Sequence, residues 1–327
     1  MSTCATASEA LSEPLAATAA TARTWLLVEQ PGPWGAKALT GSHLDPDLGR
    51  TLEGLASPHG TRVALIRRPG PHPDRHPPLR RRAYLAHTLP GRSWLFGTTS
   101  AAAPEELCGL DFAALGAGDP GGLPQGWAPH QGDPLALVCT NGKRDRCCAL
   151  RGRPLAAELA ASGAADTWEI THLGGHRFAP TLLVLPYGYA YGRMTAPAVK
   201  GVLDALRDGR VVTESCRGRS AWQRPGQAAD LAVRARTGEQ DADALSVLRT
   251  EAAEPNEGPE GTGAGRWRVT VAHTDGRRWR VRVAAAGAPR PQPASCGAEP
   301  GSPERMRVEA VEPLGPAGPA GGPTLGN

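Results

Sequence analysis

Short hydrophobic runs separated by polar turns divide the first third of the chain into strands and one helix. Apolar segments of strand length occupy 25–28, 62–67, 82–87 and 93–97. Between the first two segments, Leu48, Leu52 and Leu55 fall on one face of a helix predicted over 45–56. A strand, a helix, a strand and a strand pair follow one another in the order of a thioredoxin-like unit.

The same order of elements recurs after a loop rich in Gly and Pro at 116–134. The predicted elements are strands at 135–139, 167–171 and 181–186, a helix at 155–161 and a closing helix at 197–207. The sequence therefore predicts an α/β protein with two tandem copies of a thioredoxin-like domain, a degenerate copy at 24–115 and a second copy at 130–212.

The remaining sequence predicts an accessory C-terminal region at 213–314. A helix is predicted within 227–252, and strands at 266–273 and 277–283 form a β-hairpin around Asp275 and Gly276. Segments rich in Ala, Ser, Gly and Pro are expected to be disordered, namely 1–23, 285–303 and the tail 315–327.

Composition and charge argue against several classes of protein. The net charge of +4 on 327 residues is too small to indicate nucleic acid as a partner. Seven cysteines spread along the chain do not resemble a disulfide framework. The sequence has neither a secretory signal nor an apolar run long enough to cross a membrane. We expect a cytoplasmic protein with reduced thiols and no membrane partner.

Cysteine and histidine are concentrated only between positions 139 and 176, where they are Cys139, Cys147, Cys148, His172 and His176. Cys139 ends a predicted strand, and turns at 141–142 and 174–175 allow the separated segments to converge. Thiolate and imidazole together are ligands of zinc, copper and iron–sulfur centres. The residues therefore predict a metal centre in the second copy.

Two other interpretations of these residues stay open. Two cysteines and two histidines can hold zinc in a binding module, although eight residues separate Cys139 from Cys148 where zinc fingers have two to four. Vicinal Cys147 and Cys148 can instead serve a thiol-dependent oxidoreductase, but the chain lacks the Cys-x-x-Cys motif of such enzymes.

Three motifs carry a family resemblance. They are Cys-Thr-Asn-Gly-Lys-Arg-Asp-Arg-Cys-Cys-Ala from position 139, Trp-Glu-Ile-Thr-His-Leu-Gly-Gly-His-Arg-Phe-Ala from position 168, and Leu-Pro-Tyr-Gly-Tyr-Ala-Tyr-Gly-Arg-Met from position 185. The chain resembles the sucrase/ferredoxin-like family over about 25–238. These are thioredoxin-fold proteins similar to the thioredoxin-like [2Fe–2S] ferredoxins.

The resemblance implies a [2Fe–2S] electron-transfer protein rather than a hydrolase. The implied ligands are Cys139, Cys148, His172 and His176, with Cys147 as the alternative to Cys148. Histidine-ligated centres of the Rieske type have potentials of about −150 to +300 mV, against about −400 mV for plant-type ferredoxins, and we expect reduction to be coupled to proton uptake. The redox donor or acceptor protein is unknown, and the basic residues Lys143, Arg144 and Arg146 are a candidate docking surface for it.

Overall fold

The structure is a computed structural model, and it describes residues 3–71, 80–98, 103–163, 166–253 and 265–315. Within these ranges the chain forms six α-helices. They are α1 (Cys4–Ala10), α2 (Pro46–Ala56), α3 (Phe112–Ala117), α4 (Arg146–Ser162), α5 (Ala196–Arg207) and α6 (Arg224–Thr237).

One mixed β-sheet of ten strands runs through both predicted copies. The strands from the first copy are β1 (Thr24–Glu29), β2 (Thr61–Arg67), β3 (Ala83–His87) and β4 (Trp94–Thr98), followed by the short β5 (Trp127–Pro129). Those from the second are β6 (Leu135–Cys139), β7 (Asp166–Ile170), β8 (Leu182–Leu185) and β9 (Tyr189–Tyr191), followed by β10 (Cys216–Arg219). The order across the sheet is β10-β9-β8-β6-β7-β2-β1-β3-β4-β5.

The two halves of this sheet have the same local topology. In the first half the order is β2-β1-β3-β4, with β1 parallel to β2 and the other pairs antiparallel. The second half repeats it as β7-β6-β8-β9, again with only the first pair parallel. The predicted helix after the first strand of each copy is present as α2 and α4. The mixed α/β class is thereby confirmed.

The halves meet where β2 pairs with β7 in antiparallel register. At this junction the guanidinium of Arg67 contacts the carboxylate of Glu169 at 2.8 Å, and the side chains are 4% and 3% exposed. The Thr140 hydroxyl donates to the same carboxylate at 2.7 Å. Buried charges are tolerated only when they are paired. A shift of β2 along β7 would separate Arg67 from Glu169, so this contact fixes the register between the halves.

The prediction of disorder at 1–23 is wrong for the described residues 3–23. This segment forms α1 and then crosses the sheet, with Cys4, Ala5, Ala17 and Ala19 buried. Buried Glu13 accepts from Arg177 at 3.0 Å. The segment has small side chains and no apolar stripe, so its burial leaves no hydrophobic periodicity in the sequence.

The C-terminal region forms a second, antiparallel sheet that packs on α6. Its strands are β11 (Leu245–Ala252), β12 (Arg266–His273), β13 (Arg278–Gly287) and β16 (Glu304–Leu314), in the order β11-β12-β13-β16. The predicted hairpin is confirmed as β12 and β13. The helix predicted within 227–252 is wrong in its second half, which is the strand β11, because Leu245 and Val247 alternate as strand residues do.

The segment 285–303, predicted to be disordered, is also structured. It contains the end of β13 and the short pair β14 (Gln292–Pro293) and β15 (Pro300–Gly301). Buried Gln292 and half-buried Cys296 lie in it, and β14 contacts α1. The predicted disordered tail 315–327 lies outside the described residues from position 316 onward.

Candidate metal centre

Cys139 ends β6 at the centre of the ten-stranded sheet and is 1% exposed. Helix α4 packs close to this strand end because position 152 is glycine. A Cβ there would stand 2.2 Å from the Cys139 carbonyl oxygen, so any side chain would push the helix away. The strand end and the first turn of α4 are thereby held against each other.

The vicinal pair, Cys147 and Cys148, lies in the first turn of α4. Asp145 caps the helix, and its carboxylate accepts the backbone N–H of Cys147 at 2.8 Å. The prediction of the helix only from 155 is therefore wrong at its start, since the helix begins at Arg146. Both thiols are buried, at 0% and 1% exposure, but they take different directions from the helix.

The two histidines lie in a glycine-rich loop after β7. Gly174 and Gly175 have positive φ angles of 80° and 68°, which turn the loop so that the imidazole centroids of His172 and His176 are 5.1 Å apart. Fully buried Arg217 supports the loop by donating to the Gly174 carbonyl at 3.1 Å. Burial lowers the pKa of Arg217 to about 10, so its guanidinium stays charged at neutral pH.

Three of the four predicted ligands converge directly. One donor atom from each of Cys139, Cys148 and His172 lies within 4.8 Å of the other two. His176 lies beside this group through its ring contact with His172. The alternative ligand Cys147 is absent from the group, because its thiol instead contacts Cys296 at 3.1 Å.

Each histidine ring has one buried nitrogen without a hydrogen-bond partner in the described part of the chain. The Nδ1 atoms of His172 and His176 are buried, and neither has a hydrogen-bond partner within the described residues. The Nε2 atom of His176 lies 2.7 Å from the Ala294 carbonyl oxygen. A carbonyl only accepts, so Nε2 carries the hydrogen and Nδ1 carries the free lone pair. This is the tautomer in which Nδ1 can bind a metal.

The two thiols of the group influence each other's pKa. The contact between Cys139 and Cys148, together with nearby His172, holds the pKa of Cys139 well below its usual range. The same contact and burial raise the pKa of Cys148. Because the thiolate is the form that binds metals, metal binding would release the protons that these thiols carry.

Basic side chains surround the site on its open side. Lys143, Arg144 and Arg146 are all exposed, as expected for a rim. His172 lines an adjacent cleft of about 620 Å³ together with Arg62 and Arg144. The guanidinium of Arg62 donates to the His172 carbonyl at 2.7 Å, which further fixes the start of the histidine loop.

Sequence reasoning missed several residues of this region. Cys4 and Cys296 are far from the motifs in sequence, yet their thiols lie next to Cys147. Nothing in the sequence indicated that Arg217 is buried beneath the histidine loop, because a lone arginine is ordinarily exposed. The odd number of cysteines was the one available hint that thiols outside the motifs have a place in the structure.

Comparisons with known proteins agree with the motifs. The model of a family described as sucrase/ferredoxin-like matches residues 15–218. The chain is 31% identical over 97 residues to "Altered inheritance of mitochondria protein 32" of Meyerozyma guilliermondii. The match covers 26% of this chain, and the chain spans about a third, 34%, of the length of that relative. No solved structure matches the chain.

In the described ranges there is no helix of the length and apolar character that a bilayer span requires. The cytoplasmic location stays a prediction.

Proposed function

This protein belongs to the sucrase/ferredoxin-like family, and we propose that it is a [2Fe–2S] electron-transfer protein with Cys139, Cys148, His172 and His176 as cluster ligands. The observation that carries the proposal is the convergence of buried thiol and imidazole donors described above. The proposal includes a thioredoxin-like origin of both halves of the sheet, which their identical strand order supports.

The donor set fits such a cluster. The cluster supplies reversible one-electron transfer when bound, and two thiolates with two imidazoles are a known ligand set for it. Cys139 and Cys148 would supply the thiolates. His172 and His176, each with a buried ring nitrogen that has no hydrogen-bond partner within the described residues, would supply the imidazoles. Leu173 and Trp168 pack into the same hydrophobic cluster as the two cysteines and exclude water from that side.

Proton coupling is part of the proposal. An added electron increases the negative charge beside the histidine rings and so favours protonated ring nitrogens. We expect the reduction potential to fall as pH rises, with a slope approaching about 59 mV per pH unit for one proton per electron. Potentiometric titrations across pH 6 to 10 measure this slope. A potential that stays constant over that range would contradict histidine ligation.

We further propose that an acidic redox partner docks on Lys143, Arg144 and Arg146. Lys143 and Arg144 lie on the turn before α4 and Arg146 begins the helix, so a partner docked on these exposed cations would be close to the proposed cluster. Charge complementarity of this kind acts mainly on the association rate.

A pair of neighbouring substitutions tests the cluster and its ligands. In protein purified anaerobically, iron and sulfide analysis with visible and EPR spectra should show a cluster in the native chain. Cys148→Ser should abolish or strongly alter it, because this thiol belongs to the converging group. Cys147→Ser, one residue away and equally buried, is the matched control and should retain the spectrum.

Two outcomes would reject parts of the proposal. Zinc bound at these residues without sulfide would indicate the zinc-stabilised binding module instead. If Cys147→Ser loses the spectrum and Cys148→Ser keeps it, the cluster ligand is Cys147 and not Cys148. The thiol oxidoreductase is less favoured by the structure, because Cys147 and Cys148 are both buried and their pKa values are raised by burial and by neighbouring thiols.

A further inference from the structure

A second group of potential ligands lies beside the candidate cluster site and shares none of its residues. The thiol sulfurs of Cys4, Cys147 and Cys296 form a triangle with sides of 3.5, 3.6 and 3.1 Å. The carboxylate of Asp145 lies 3.8 Å from the Cys4 sulfur. One donor atom from each of these four residues lies within 4.8 Å of the others.

Three remote parts of the chain build this group. Cys4 begins helix α1, Cys147 lies in the first turn of α4, and Cys296 lies between β14 and β15. The backbone N–H of Cys296 donates to Asp145 at 2.8 Å, so the carboxylate that caps α4 also holds the C-terminal segment in place. The convergence therefore depends on the tertiary fold and not on a local turn.

We propose that Cys4, Asp145, Cys147 and Cys296 form a binding site for a zinc ion. Three thiolates and one carboxylate oxygen are four ligands of the types that zinc binds, and four is the usual number in structural sites. Zn–S bonds of about 2.3 Å in a tetrahedron place the sulfurs about 3.8 Å apart. To reach that separation, the two longer sides of the triangle need to widen by about 0.2–0.3 Å and the Cys147–Cys296 side by about 0.7 Å.

A disulfide accounts for this arrangement less well. A disulfide would join only two of the three sulfurs and leave the third thiol without a role. Zinc uses all four groups, and its positive charge permits several buried anionic ligands to lie together. The three cysteines also pack with Ala5 and Ala179.

The proposed ion would join helix α1 and the segment around Cys296 to the helix that carries Cys148. Zinc bound only by the folded protein stabilises that fold, so the site would fasten α1 and the 292–301 segment to α4. The zinc ligands are distinct from the cluster ligands, because neither Cys4 nor Cys296 belongs to that donor group. The 292–301 segment nevertheless contacts His176 through the Ala294 carbonyl.

Metal analysis of the full chain tests the site. Protein produced with both iron and zinc and purified anaerobically under reducing conditions should retain one zinc per chain. Zinc-edge X-ray absorption should show three sulfur ligands and one oxygen ligand. We expect Cys4→Ser and Cys296→Ser to weaken zinc binding more than about 100-fold, since loss of an outer partner alone costs 10–100-fold.

Matched variants separate this site from the cluster. Cys296→Ser should lose zinc and keep iron and sulfide, whereas Cys148→Ser should lose iron and keep zinc. Cys108→Ser, a half-buried cysteine outside both groups, should keep both. Cobalt titration of the metal-free native chain provides a measurement that needs no variant, because thiolate-to-cobalt charge-transfer bands report bound sulfur.

Several results would overturn the proposal. These are native protein without zinc, zinc retained at full affinity in Cys296→Ser, and zinc bound by two sulfurs and two nitrogens. Cobalt bound without thiolate bands would do so too. A Cys147–Cys296 disulfide in the anaerobically purified chain would replace the metal site with a redox bond.

Discussion

The buried ion pair at the junction of the half-sheets should be essential for stability. Glu169→Gln keeps the size of the side chain but removes the charge that faces Arg67 at 2.8 Å. Burial lowers the pKa of Arg67 and Glu169 opposes that effect, so the variant leaves an uncompensated buried guanidinium. Breaking a buried pair in this way costs about 3–5 kcal/mol of the free energy of unfolding.

Urea denaturation followed by circular dichroism measures this cost. With a slope of about 3 kcal/mol per molar urea, the midpoint should fall by about 1–1.7 M. Glu106→Gln is the matched control, because it removes the same charge from a pair with Arg80 whose side chains are 53% and 58% exposed. Such a pair contributes about 0–1 kcal/mol. Equal midpoints for the two variants would refute the claim that the pair of Arg67 and Glu169 stabilises the junction of the half-sheets.

Two further predictions concern a buried histidine and the histidine loop. Burial, with nearby arginines, lowers the pKa of His87 to about 4 from its ordinary 6.5, so the unfolded chain takes up a proton more readily. The resulting stability is present above pH 6.5 and is lost as pH falls toward 4, and urea midpoints of His87→Gln should depend less on pH across that window. A Cβ on Gly175 would lie 2.1 Å from the Arg217 guanidinium, whereas one on Gly174 meets nothing within 4 Å. Gly175→Ala should therefore lower the melting temperature and iron content more than Gly174→Ala; equal effects would mean that the loop does not rest on Arg217.

The sequence predicted those elements whose apolar side chains form a recognisable pattern, either a continuous run or a helical period. The sheet strands are continuous apolar runs, so every predicted strand of the two copies is present in the structure. The start of α4 was missed because Arg146 and the cysteines show no apolar stripe. The order of residues 3–23 was missed because small side chains and the Glu13–Arg177 ion pair hold that segment, neither of which has a period.

The vicinal cysteines show why the candidate site could be predicted only in part. Extended backbone would place Cys147 and Cys148 on opposite sides, and that reasoning led to one ligand and one spare thiol. In the helix that is present, consecutive side chains are separated by about 100°, and both remain buried on the packed side. Cys148 thus turns toward Cys139 and His172, while Cys147 turns toward Cys4 and Cys296. The first turn of α4 lies between two groups of potential ligands, so two adjacent cysteines can belong to different groups. The spacing of residues in a motif does not reveal such an arrangement.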